Sequence, residues 1–64
     1  MKEYRFNNED WRVWDILEAN PFGLTKEEIA QKMGMVLETV EKSLKLLTEM
    51  GWVRESDGKF TLAY

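Results

Sequence analysis

The chain contains neither cysteine nor histidine among its 64 residues. Without cysteine there is no disulfide, no thiolate nucleophile and no thiolate metal ligand. Without histidine, the side chain that most often moves protons or binds metals near neutral pH is missing. The two serines, Ser43 and Ser56, have no histidine or lysine arrangement nearby that would activate them. We therefore expect no cofactor, no metal site and no enzymatic activity.

Long apolar runs and an excess of basic charge are missing too. No stretch approaches the roughly 20 apolar residues that span a bilayer, and the first residues lack the apolar core of a signal peptide. We therefore expect a cytoplasmic protein that does not enter a membrane. The net charge is −3, from 9 basic and 12 acidic residues. This disfavours nucleic-acid binding without excluding it, because only the docking face has to be basic.

Local start and stop signals predict three helices, at about residues 8–19, 26–33 and 37–50. Two of the predicted starts have the spacing of a capping box, Asn7 with Asp10 and Thr25 with Glu28. Each helix is followed by a residue type that ends helices: Pro21, Gly34 and Gly51. Apolar residues at helical spacing predict a shared core, with Val13, Trp14, Ile16 and Leu17 on the first helix and Val40, Leu44 and Leu47 on the third.

The last part of the chain is predicted to be a β-hairpin over about residues 52–63. Asp57-Gly58 is a strong signal for a two-residue type I′ turn. A two-residue loop places Val53 opposite Leu62, with Phe60 on the same side. A short third strand would come either from residues 22–24 or from Tyr4 and Phe6, and the sequence does not decide between them. The predicted fold is mainly α with a small hairpin, as one domain over residues 1–64.

Three segments carry a family resemblance: LTKEEIAQKMG (24–34), ETV (38–40) and LKLLTEMGWV (44–53). Together they resemble the winged helix-turn-helix domains of bacterial and archaeal transcription regulators of the MarR and IclR type, over residues 11–64. The resemblance implies a three-helix bundle with a two- or three-stranded wing. In such domains the third helix enters the major groove of double-stranded DNA, and the wing contacts the adjacent backbone or minor groove. The DNA-binding residues that it implies are Thr39, Lys42, Lys45, Arg54 and Lys59.

The third predicted helix supports a second hypothesis, because it is acidic and partly apolar. Residues 36–50 contain two lysines and three glutamates, a net charge of −1. Both lysines are expected to form i,i+4 pairs with glutamates, Glu38 with Lys42 and Glu41 with Lys45. The alternative function is a winged helix that binds a protein partner. Its candidate residues are Val36, Leu37, Glu38, Glu41, Leu46 and Trp11.

Several of these residues also have ordinary structural interpretations. Trp11 is spaced to pack on Phe6 as a hydrophobic staple, and it could instead anchor a partner or a second copy of the chain in a homodimer. Leu37 and Leu46 either pack on the core, Leu46 under Trp52 or the wing, or form an exposed apolar patch. A third hypothesis is an engineered or designed small domain, since caps, stops and paired charges all agree with one fold.

Overall fold

The computed structural model describes residues 7–63. Three helices are followed by a two-stranded antiparallel hairpin, which confirms the predicted mainly α class with a small hairpin. The elements are α1 (Asn8–Glu18), α2 (Lys26–Met33), α3 (Leu37–Glu49), β1 (Val53–Ser56) and β2 (Lys59–Leu62). The predicted ends of α1 and α3 were one residue too late, because Ala19 and Met50 are the C-caps of these helices.

The first two helices begin with the predicted capping boxes. The Asn7 side chain accepts a hydrogen bond from the backbone N–H of Asp10, and the Asp10 carboxylate accepts one from Asn7 N–H in return, at 3.1 and 3.0 Å. Thr25 and Glu28 repeat the exchange at 3.1 and 2.8 Å. α3 has no such support, because its N-cap is Val36 and no side chain caps it. The predicted staple between Phe6 and Trp11 lies outside the described residues.

The helix ends follow their predicted stop signals. Gly51 takes a left-handed φ of 81°, and Trp52 N–H then donates to the Leu47 carbonyl at 3.0 Å. This is the Schellman closure that suits glycine after a helix. At the end of α1, the Asn20 side-chain amide donates to the Ile16 carbonyl at 2.7 Å. Each stop therefore satisfies carbonyl groups that the helix itself leaves without donors.

The hairpin has the predicted two-residue register. Val53 is paired with Leu62 and Glu55 with Phe60, and both turn residues have positive φ, as a type I′ turn requires. Leu24 forms an isolated antiparallel bridge with Phe60, with N–H to carbonyl distances of 3.1 and 2.7 Å. The extra pairing therefore comes from the 22–24 segment. The alternative, Tyr4 and Phe6, lies outside the described residues.

The hydrophobic core lies between the three helices and the inner face of the hairpin. Its buried residues are Val13, Leu17, Leu24, Ile29, Ala30, Met33, Val40, Leu44, Leu47 and Val53. Trp14 and Ile16, predicted on the core arc of α1, are half-buried. No helix within residues 7–63 has the length and apolar composition needed to cross a bilayer.

Candidate functional site

The face of α3 that points away from the core is covered with charges of both signs. Because the core side of α3 holds Val40, Leu44 and Leu47, the helical period of 3.6 puts another set of residues on the opposite side. The residues of this outward arc are all exposed. It consists of Glu38, Lys42, Lys45 and Glu49. The outward arc is the surface that the family resemblance assigns to DNA, and its charges cancel.

Beside the outward arc lies an open groove, bounded by the N-terminus of α2, by α3 and by the hairpin. Its volume is about 630 Å³. Leu44 and Phe60 provide apolar surface at its floor. Its charged lining residues are Lys26, Glu27, Glu41, Lys45, Glu49 and Glu55. Four carboxylates against two ammonium groups give this groove a net charge of −2.

One ion pair crosses the groove and joins α2 to α3. Lys26 Nζ lies 2.8 Å from Glu41 Oε2. The hydrogen bond and charge of Glu41 raise the pKa of Lys26 above its usual value, and Glu27 and Glu55 add smaller contributions in the same direction. The predicted pairing of Glu41 with Lys45 is therefore wrong.

That prediction failed because Glu41 lies at the edge of the outward arc nearest α2, where Lys26 is within reach. The predicted pair of Glu38 with Lys42 also fails, since within residues 7–63 these two side chains form no ion pair. Neither lysine of α3 therefore forms an ion pair with a carboxylate in the part of the chain that the structure describes.

The structure does not bring the five predicted DNA-binding residues together. Lys42 and Lys45 are neighbours on the outward arc, although Lys45 borders the groove while Lys42 and Thr39 border a smaller cavity of about 220 Å³ on the other side of α3. Arg54 and Lys59 lie on the opposite face of the hairpin from Glu55 and Phe60, because side chains alternate along a strand.

Exposure of the side chains shows which face of the hairpin is the outer one. Val53, on the face of Glu55 and Phe60, is 2% exposed, whereas Arg54 and Lys59 are exposed. A Cβ atom at Gly23 would lie 3.0 Å from Thr61 Cγ2 and 3.3 Å from Lys59 Cβ. Because Leu24 pairs with Phe60, Gly23 lies beside β2 at the edge of the sheet, and a side chain there would share the face of Lys59 and Thr61. Phe60 lines the groove on the other side. The two basic residues of the hairpin point away from α3.

The six residues predicted for a protein partner are also divided. Near the start of α3, Val36 is 66% exposed and Glu38 is exposed, whereas Leu37 is half-buried and packs against the core. The packing interpretation of Leu37 is therefore the one that the structure supports. Of the six, Glu41 lines the groove.

Leu46 and Trp11 lie elsewhere. Leu46 is half-buried and borders the smaller cavity together with Asn7 and Asp10 at the start of α1. Trp11 is 46% exposed, and its ring centroid is 6.5 Å from Trp14 and 6.0 Å from Trp52. The predicted apolar patch therefore does not form as one continuous surface.

The groove contains residues that sequence reasoning did not assign to a site. They include Glu27 on α2, Glu49 at the end of α3, and Glu55 and Phe60 on the hairpin. The hairpin register places Glu55 beside Phe60 on one face, and this was a usable signal. Their approach to Glu27 and Glu49 depends on how the three elements pack, which no local spacing encodes.

Ser43, one of the two serines of the chain, is buried at 4% exposure. Within residues 7–63, no three Asp or Glu side chains cluster closely enough to hold a metal ion.

No protein-family model, no curated protein and no solved structure matches the chain.

Proposed function

We propose that the chain is a winged helix-turn-helix module that binds a protein partner through α3 and the groove beside it, and that it catalyses no reaction. Three features support this architecture. α2 and α3 are joined by a short turn containing Gly34, as in a helix-turn-helix. The hairpin follows α3 directly, in the place of a wing. The bridge from Leu24 to Phe60 supplies the short third strand.

The distribution of carboxylates carries the proposal of a protein partner. A duplex docked on α3 would meet Glu38 and Glu49 on the outward arc and Glu55 across the groove. DNA affinity comes largely from basic side chains that neutralise phosphates and release counterions. Here carboxylates interrupt the lysines of α3, while Arg54 and Lys59 lie on the far face of the hairpin. A protein partner can supply complementary charges to such a mixed surface.

DNA binding is the second candidate, and one observation favours it. Because Glu41 is held by Lys26, Lys45 keeps its charge available to a phosphate. The groove beside α3 nevertheless has a net charge of −2, which repels the phosphates of DNA.

A titration of the labelled protein with mixed-sequence duplex DNA at low salt, followed by amide NMR shifts, separates the two candidates. We expect no site-specific shifts for the wild-type chain. Shifts centred on Thr39, Lys42, Lys45, Arg54 and Lys59 that weaken as salt rises would establish DNA binding instead and overturn the proposal.

A variant and a matched control make the titration more specific. Glu38→Gln with Glu49→Gln removes both carboxylates from the outward arc and should produce weak, salt-sensitive DNA binding by α3. Asp15→Asn with Glu18→Gln makes the same change in net charge on exposed positions of α1. Because those positions lie outside the outward arc and the groove, the control variant should not bind DNA.

A further inference from the structure

The geometry points to the partner's chemistry: the groove between α2, α3 and the hairpin binds a short basic peptide segment that carries one apolar side chain. This inference rests on the proposed protein-binding function and makes it more specific. It depends on three independent features of the groove: its size, its apolar lining residues and the negative charge of its rim.

The groove is large enough for a peptide side chain and its flanking backbone. Its volume of about 630 Å³ falls within the roughly 300–1,000 Å³ typical of ligand-binding clefts. Its apolar lining residues are Phe60, whose side chain is half-buried, and Leu44, which is 2% exposed and part of the core. Both residues belong to regular elements, so an apolar side chain placed there would contact a preformed surface.

The rim of the groove is acidic even after its internal ion pair is counted. Lys26 offsets the charge of Glu41 at 2.8 Å. This leaves Glu27 on α2, Glu49 on α3 and Glu55 on β1, against Lys45. Carboxylates on three elements can accept hydrogen bonds from lysine or from a bidentate arginine of the partner.

Lys26 shows what the groove does to a cation placed within it. Its pKa is raised first by the hydrogen bond and charge of Glu41, and further by Glu27 and Glu55, which lie on different elements. The carboxylates of the groove therefore already stabilise one ammonium group of the chain itself. A lysine or arginine of a partner placed near Glu49 and Glu55 would likewise face negatively charged carboxylates.

Selection from a random peptide display library against the wild-type chain tests this preference without assuming a partner. We expect the enriched peptides to share lysines or arginines around one apolar residue. A synthetic copy of the most enriched peptide should then shift the amide NMR signals of Thr48, Glu55, Gly58 and Phe60, which line the groove.

Charge reversal shows whether the groove is the binding site. Glu49→Lys with Glu55→Lys reverses two exposed rim charges and should weaken peptide binding by about tenfold or more. The matched control is Asp15→Lys with Glu18→Lys, which makes the same change in net charge on α1. Glu18 is the last residue of α1, as Glu49 is of α3, so both pairs include the same helix-end effect. The control should change the affinity by less than about twofold, because exposed charges outside the site contribute little.

Several results would overturn the inference, and the first three concern peptide preference and site. They are enrichment of acidic or neutral peptides, equal weakening by both charge-reversal pairs, and groove shifts that depend on protein concentration in the absence of peptide. The last would identify a second copy of the chain as the occupant. If the wild-type chain binds neither basic peptides nor duplex DNA, a basic segment is excluded as the partner. The proposed function, binding of a protein partner, is not contradicted by that result. Duplex binding through α3 would instead remove the proposed function itself.

Discussion

The start of α3 offers a direct test of how local signals stabilise this fold. Its N-cap, Val36, has φ −69° and ψ 148° and provides no side-chain acceptor. Thr25, at the start of α2, has nearly the same backbone conformation, φ −75° and ψ 161°, and its hydroxyl accepts from Glu28 N–H at 3.1 Å. A serine at position 36 would therefore have the backbone geometry needed to accept from Thr39 N–H, which in the wild type donates to the Val36 carbonyl at 3.2 Å.

We expect Val36→Ser to stabilise the chain by about 1 kcal/mol, the usual value of a side-chain N-cap. Little is lost in exchange, because Val36 is 66% exposed and contributes little apolar burial. In a domain of this size, such a gain corresponds to a rise in Tm of about 4–8 °C. Urea and thermal unfolding followed by circular dichroism measure both quantities.

Val36→Ala is the control, since alanine removes the valine side chain without providing an acceptor. The capping explanation requires Val36→Ser to be more stable than both the wild type and Val36→Ala. If serine and alanine have the same stability, the start of α3 is satisfied in another way and the reasoning fails. A loss of more than about 1 kcal/mol on substitution by serine would show that Val36 is a packed residue.

Two further predictions concern the turn before α2 and the capping box that follows it. Gly23→Ala should destabilise the fold by about 1–3 kcal/mol, because Gly23 has φ +94° and a Cβ atom there would lie 3.0 Å from Thr61 Cγ2. Gly58→Ala, at φ +81° with open space around it, should cost less in the same urea titration, and equal losses would rule out the contact with Thr61. The hydrogen bond from Thr25 N–H lowers the pKa of Glu28 from its usual 4.5. The stability that it contributes is complete above pH 4.5 and disappears as the pH falls through the lowered pKa. Glu28→Gln should therefore flatten the acid side of the plot of urea midpoint against pH, and an unchanged slope would contradict this assignment.

The features that the sequence predicted correctly depend on residues close together in the chain. A capping box joins residues three apart, so Thr25 with Glu28 was readable from spacing. The closure at Gly51 needs the carbonyl of Leu47 and the N–H of Trp52, which are five residues apart. The type I′ turn needs two neighbouring residues that tolerate positive φ, and the hairpin register follows from it.

The features that could not be predicted depend on how separate elements pack. The i,i+4 rule assigned Glu41 to Lys45, yet each such pair is worth only about 0.2–0.5 kcal/mol on an exposed helix. A lysine from a neighbouring helix can displace so weak a pair, and Lys26 on α2 does so. The groove has the same origin, since Glu27 and Glu55 meet only after α2 and the hairpin have packed on α3.

The net negative charge of the groove depends on the register of the hairpin. The observed pairing puts Val53 and Leu62 toward the core and carries Glu55 and Phe60 to the groove side. A slip of one residue would turn every side chain of a strand to the other face, which would bring Arg54 toward α3 and make that surface more basic. The slip would also expose Val53, which is 2% exposed in the fold. Burial of this one side chain therefore opposes the basic arrangement, and the pattern that stabilises the hairpin also keeps its cations away from α3.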